Sequence, residues 1–320
     1  MADGSEARPR SEILADVAEM YFLQGKKQDE IAQVIGVTRS MISRMLTEAR
    51  EQGIIEIKVN RPLYSSMSLT QSIQERFGLL DAHVVANPYP DDVRMRQYIG
   101  AAGAQVLRKY LRPGEVLGTP WGSTVRALID ALDVRDNMNV KVVQLCAALG
   151  AQSDEYDGYL QVRQLASKLG GEGYYLNAPL RVESREMARA LMETPGIQTT
   201  LELTQHCNVV LLGIGGAGPD NTVYCRAGQA SREELEQMAL DGAVGNVCVR
   251  FYDQYGSPIL TEFHERIIVA PLENILKTPV RIGLAGGLNK VDAILGALRG
   301  GYINVLVVDQ LTAQEILDRA

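Results

Sequence analysis

The first sixty residues carry apolar positions at helical spacing in two stripes, set either side of a short helix. Ile13, Leu14, Val17, Met20 and Tyr21 make the first stripe, which Gly25 closes. Asp29-Glu30-Ile31-Ala32 then opens a short helix that ends at Ile35-Gly36-Val37. Gly36 is free to take the positive φ that an abrupt helix–helix corner needs. Thr38 follows as an N-cap, its hydroxyl able to accept an orphan amide of the next helix. On that helix Ile42, Met45, Leu46 and Ala49 form the second stripe, and Gly53 ends it. Ile54 to Val59 alternates apolar with polar, as a small edge strand or wing does.

The pattern changes after a linker. Asn60-Arg61-Pro62-Leu63-Tyr64-Ser65-Ser66 has a proline, polar residues and no period. From Ser68 onward, helical stretches alternate with short apolar runs. Helices are expected over 69–77, 95–110, 125–132 and 291–299. Strands are expected over 81–86, 116–117, 140–145, 209–212, 247–251, 281–284 and 304–308. Most of these strands are nearly continuous β-branched runs, as for parallel strands buried on both faces. The alternation predicts a doubly wound α/β sheet, with ligands at the carboxyl ends of its strands. Residues 1–60 are therefore expected as one domain, 61–67 as a linker and 68–320 as a second domain. Two cores suit a chain of 320 residues.

The polar face of the second stripe's helix carries Thr38, Arg39, Ser40, Ser43 and Arg44 at its N-terminal end. Short donors and guanidinium forks at that end are what a helix-turn-helix pushes into the major groove. Gln28, at the start of the preceding helix, lies where backbone phosphates are met. A solvated helical hairpin would show the same stripes, but the turn, the cap and the wing favour double-stranded DNA as partner.

Charge refines this reading. The net charge of −7 argues against wholesale coating of nucleic acid. From Thr38 to Arg61, however, five bases face three acids, an excess of two on a small module. Dimerisation doubles that excess, enough for salt-sensitive operator contact. The acidic bulk then belongs to a domain that stays off the DNA. No apolar run approaches the ~20 residues of a membrane span, and the polar N-terminus is unlike a signal peptide. The four cysteines (146, 207, 225 and 248) lie far apart with no CxxC pair, and the three histidines are scattered. No metal and no cofactor is expected, and a reducing cytoplasm is the expected home.

Three glycine-containing loops follow strands. Thr119-Pro120-Trp121-Gly122-Ser123-Thr124 leads into a helix whose free amides favour an anion, with two hydroxyls at hand. Pro120 removes one amide from that cradle. Trp121, the only tryptophan, either faces a ligand or caps the core. Gly286-Gly287-Leu288-Asn289-Lys290 places a lysine at a helix start, where the helix dipole opposes it unless an anion is bound. Gly213-Ile214-Gly215-Gly216-Ala217-Gly218 matches a dinucleotide fingerprint, but Pro219 breaks the chain where a helix should open. That loop reads as the wall of a small-molecule pocket. Asp241 and Gln144 are further candidates for sugar hydroxyls, although an Asp beside a glycine is equally a turn residue.

Taken with the helix-turn-helix, Trp121-Gly122-x-Thr124, Gly213-Ile214-Gly215, Asp241-Gly242-Ala243-Val244-Gly245, Arg250-Phe251-Tyr252-Asp253, Ala285-Gly286-Gly287-x-x-Lys290 and Ile303-Asn304-Val305-Leu306 resemble the SorC family of bacterial sugar-responsive transcriptional regulators. The resemblance spans nearly the whole chain. It implies an effector domain similar to sugar-phosphate isomerase and deaminase folds, and dimers or tetramers on operator DNA. It also implies that the Trp121 to Thr124 loop, with Gly286, Gly287 and Lys290, holds a phosphate while Asp241 and Gln144 face the sugar. A free sugar or polyol remains the alternative effector. The other functional reading is a sugar-phosphate isomerase or deaminase with an added DNA-binding arm. Deaminases of that type follow the glycine loop with Asp-Gly-His, whereas Gly213 to Asn221 contains no histidine. Without such a base, turnover is not expected.

Overall fold

A computed structural model describes residues 9–55, 66–86, 91–133, 137–150, 157–218 and 223–320. The chain divides into two units, Met1–Pro62 and Leu63–Ala320. The wing beyond Ile55 and most of the expected linker lie outside the described residues.

In the first unit, helices α1 (Arg10–Phe22), α2 (Gln28–Ile35) and α3 (Arg39–Glu51) enclose a core of Leu14, Val17, Ile31, Ile42, Met45 and Ala49. Gly36 takes φ 78°, and the Thr38 hydroxyl accepts from the Met41 amide at 3.3 Å. Arg10 pairs with Glu48 at 2.6 Å and ties α1 to α3. Ile54 and Ile55 pack on the same core. Tyr21 departs from expectation. It stands 36% exposed against Phe22, because Met20 already fills the core at the last turn of α1.

The first helix of the second unit is α4 (Met67–Phe77), two residues earlier than the pattern suggested. It is built on a seven-stranded parallel sheet: β1 (Asp81–Val85), β2 (Val116–Thr119), β3 (Lys141–Gln144), β4 (Glu172–Tyr174), β5 (Val209–Gly213), β9 (Val280–Leu284) and β10 (Val305–Asp309). A small antiparallel sheet of β6 (Gly215–Gly216), β7 (Gly245–Val247) and β8 (Arg250–Tyr252) stands beside it. The main order is β1-β10-β9-β5-β2-β3-β4. From β2 the chain goes outward to β3 and β4, then returns to β5 on the other side of β2. That reversal opens a crevice at the carboxyl ends of β2 and β5. Helices α5 (Asp92–Tyr110), α6 (Ser123–Ala131) and α7 (Gly158–Lys168) help bury one core cluster, and residues of the small sheet join the other.

The expected strand over 247–251 is a hairpin instead. β7 and β8 pair antiparallel, and Cys248 and Val249 make the turn at φ 47° and 64°. A left-handed conformation is costly for a β-branched residue and persists only where surrounding contacts hold it. No glycine marks this turn, so alternation alone read straight through it.

The small residues of α5 let it lie against α6. A methyl group at Gly100 would stand 2.5 Å from the Ala127 carbonyl carbon, a backbone atom that cannot turn aside. Gly100→Ala is therefore expected to destabilise the second unit by about 1–3 kcal/mol, read as a lower thermal midpoint. An unchanged midpoint would show that the two helices separate freely.

Candidate functional site

The crevice between β2 and β5 is a pocket. Its walls are the loop after β2 (Pro120 to Val125), the loop after β5 (Gly213 to Gly216), Tyr224, Arg226, Asn246, the Cys248-Val249 turn, Cys146 and Lys290. The first two loops come from the strands at which the sheet order reverses, so the topology itself places them here.

At one side α6 begins. Its start leaves the amides of Ser123, Thr124 and Val125 without partners inside the helix, and the Ser123 and Thr124 side chains are half-buried at the pocket. Lys290 also lines the pocket, its ammonium donating to the Ile214 carbonyl at 2.9 Å. Burial pushes the Lys290 pKa below the usual lysine range and nearby Arg96 adds to this, while Asp92 opposes it. A cation held in that state gains from any anion placed beside it. Arg226 supplies a second cationic side chain at the pocket, and no carboxylate lines it among the described residues.

The floor is aromatic and polar. Trp121 is buried, donates through Nε1 to the Ala147 carbonyl at 3.0 Å, and packs edge-on to Tyr224 at 5.9 Å. It therefore both caps the core and borders the pocket. The Tyr224 hydroxyl donates to Asn246 Oδ1 at 2.8 Å, and Asn246 Nδ2 donates to the Gly216 carbonyl at 3.2 Å. Burial pushes the Tyr224 phenol well above its usual range, so it stays a neutral hydrogen-bonding group. Below the turn, His264 is held neutral, its pKa lowered to about 4 by burial and by Arg250.

Trp121, Gly122, Ser123, Thr124 and Lys290 thus meet around one cavity. The other expected effector residues do not. Thr119 is fully buried, its hydroxyl turned to the Pro120 carbonyl at 3.0 Å. Gln144 spends both ends of its amide on backbone, donating to the Cys146 carbonyl at 2.7 Å and accepting from the Leu176 amide at 3.1 Å. It braces the exit of β3 and is not among the residues lining this pocket. Asp241 caps the exposed end of helix Arg232–Leu240, accepts from Gln237 at 2.9 Å, and borders a separate depression with Asp253 and Tyr255. The Gly287 amide is already committed to Asp309 at 3.0 Å and Thr312 at 2.8 Å. Gly286 packs where a methyl group would meet Ile99 at 2.5 Å. These two glycines aim the turn toward the helix after β10, and only Lys290 returns to the pocket.

Tyr224, Arg226, Asn246, Cys146 and Cys248 were not anticipated from sequence. Asn246 lies five residues beyond Asp241, in the loop expected before the strand over 247–251. Only the hairpin turns it inward.

In the first unit Arg39, Ser40, Ser43 and Arg44 are exposed along α3 and Gln28 is half-buried at the start of α2. Arg39 lies 3.8 Å from Asp29 and Thr38 lies 2.9 Å from the Ser40 hydroxyl, which orders the N-terminal end of α3.

A model of the sugar-binding domain family matches residues 61–318, and one of bacterial regulatory proteins of the Crp family matches 28–55. The full-length sorbitol operon regulator SorC from Klebsiella pneumoniae is similar across 97% of this chain and 100% of its own, with a TM-score of 0.75 and 27% identity. The chain belongs to the SorC family. Another similar protein is the transcriptional regulator YjhU of Escherichia coli, 31% identical over 93% of this chain and 92% of its own. The deoxyribonucleoside regulator of Bacillus subtilis is 27% identical over 97% of this chain and 99% of its own. This SorC-family protein is a DNA-binding transcriptional regulator with a sugar-responsive effector domain. Among its described residues, no helix is long and apolar enough to cross a membrane.

Proposed function

We propose that the pocket between β2 and β5 binds a phosphorylated sugar, and that its occupancy changes the grip of the N-terminal unit on operator DNA. The phosphate sits against Lys290, the amides opening α6 and the hydroxyls of Ser123 and Thr124. The sugar hydroxyls reach Asn246, Tyr224 and the backbone of the Gly213 to Gly216 loop. The carrying observation is Lys290, a lysine whose charge burial disfavours, lining a cavity without a carboxylate among the described residues. A neutral polyol would leave that cost standing. An anion offsets it.

Arg39, Ser40, Ser43 and Arg44 read the major groove, with Thr38 capping their helix and Gln28 at the flanking phosphates. A homodimer or homotetramer presents paired modules to a two-fold symmetric operator, in the cytoplasm. Coupling of about 1–3 kcal/mol between pocket and operator would change affinity about 5–150-fold. The protein is a sensor rather than an enzyme. Among the described lining residues there is no histidine or carboxylate to move a proton at a sugar carbon.

A thermal-shift screen of pentose and hexose phosphates beside the free sugars tests this. A phosphorylated ligand at 100 times its dissociation constant stabilises by about 2.7 kcal/mol. Stabilisation by free sugars alone would overturn the phosphate assignment. Steady product formation from any of them would overturn the sensor reading.

A further inference from the structure

The neighbouring strands β9, β5 and β2 of the main sheet each contain a glycine. Glycine weakens a strand, so each position asks for a reason. Gly118 of β2 and Gly283 of β9 have one in packing. A methyl group at Gly118 would stand 2.8 Å from Val210 Cγ1, and one at Gly283 would stand 2.7 Å from Ile303 Cδ1. Gly213, the last residue of β5, has no such reason. Its φ lies outside the left-handed region, and a methyl group there would meet no atom of the described residues within 4 Å, its chain neighbours aside. Two other glycines of the pocket wall are accounted for by the protein itself. Gly122 takes φ 154°, and a methyl group at Gly215 would stand 2.7 Å from Asn246 Nδ2.

The open space at Gly213 belongs to the pocket, which this half-buried residue lines. Side chains alternate along β5. Val209 and Leu211 enter the core cluster that α5, α6 and α7 cover, whereas Val210 and Leu212 enter the other. Gly213 continues the first series, so its absent side chain falls on the face of the sheet that carries α6. The following residue, Ile214, gives its carbonyl to Lys290 at 2.9 Å. We infer that Gly213 is a specificity-determining residue: the room its side chain would fill is kept for the effector, which rests directly against the Gly213 backbone. A strand glycine that neither conformation nor packing requires is one that lets a ligand come close. Which part of the effector lies there rests on the sugar-phosphate reading, under which it is the phosphate, held beside Lys290. Any side chain at position 213 takes that room and pushes the anion away.

The test compares full-length Gly213→Ala with the parent protein. Thermal unfolding is followed without ligand, and binding is titrated with inorganic phosphate and with the sugars and sugar phosphates of the thermal-shift screen. The variant should unfold at the parent midpoint or above it, because alanine suits a strand better than glycine and meets no clash. Its affinity for phosphate should fall at least tenfold, and Gly213→Val should bind none. The same change at Gly196, where a methyl group is equally unobstructed but no pocket is lined, should leave phosphate affinity as in the parent. A Gly213→Ala protein that binds every ligand as tightly as the parent overturns the inference. So does a midpoint several degrees lower without ligand, since the glycine would then serve the fold. A parent protein that binds a free sugar but no phosphate overturns the sugar-phosphate reading instead, and loss of that sugar in Gly213→Ala would still place the effector against Gly213. A parent that binds none of them overturns both.

Discussion

Replacing Lys290 with methionine is expected to abolish the response to effector while leaving basal operator binding intact. Methionine keeps the unbranched stem against the pocket wall and removes only the ammonium. Truncating one partner of a buried, hydrogen-bonded charge pair costs about 2–5 kcal/mol, so affinity for a sugar phosphate should fall at least about 30-fold. Lys290→Arg keeps the charge and should recover part of the loss. The free protein should not lose thermal stability, because the methionine removes a cation that burial disfavours. Isothermal titration beside operator gel shifts separates these outcomes, and a Lys290→Met protein that responds normally would remove the anion site. The same argument fixes a pH dependence. The Lys290 pKa is lowered in the free protein, and a bound phosphate raises it again. Binding therefore takes up a proton between the two values. Affinity is full below the free value and falls as pH rises through it, below the usual lysine range near ~10.4.

Replacing Arg44 with alanine should weaken operator binding about 5–150-fold, the range of one lost base or phosphate contact worth about 1–3 kcal/mol. Arg44 is exposed on α3, and the core contacts of that helix are made by Ile42, Met45 and Ala49, so the unit should fold unchanged. Adding Arg39→Ala should deepen the loss and flatten the salt dependence. Each phosphate contact removed lowers the slope of log affinity against log salt by about 0.9. Effector affinity should stay as in the parent protein. Equal loss of operator and effector binding would contradict the separation of the two sites. Intact operator binding in the double variant would move the reading surface off α3.

Much of this was legible in residue order. The stripes of α1 and α3, Gly36 and Thr38 are local signals: each depends on neighbours within a turn or two, and each lies where periodicity and capping place it. The parallel strands were legible for a similar reason, since burial on both faces leaves an unbroken apolar run. The loop from Trp121 to Thr124 and Lys290 could be named because glycine, hydroxyls and a helix start follow a strand. Gln144 and Asp241 fit a ligand by position, whereas in the structure their hydrogen bonds go elsewhere, to backbone and to a helix end.

The chain's order of residues thus determined the helix-turn-helix, the parallel sheet and the loop at the start of α6 that lines the pocket, since these are written in short-range pattern. Tertiary structure alone decided which polar groups share the cavity. The turn at Cys248 and Val249 has no local signal, because the conformation is held by packing and opposes the preference of both residues. That turn carries Asn246 inward and brings Cys248 to the pocket that Cys146 also lines. The meeting of residues so distant in sequence around one cavity depends on strand order, and strand order is a property of the whole sheet.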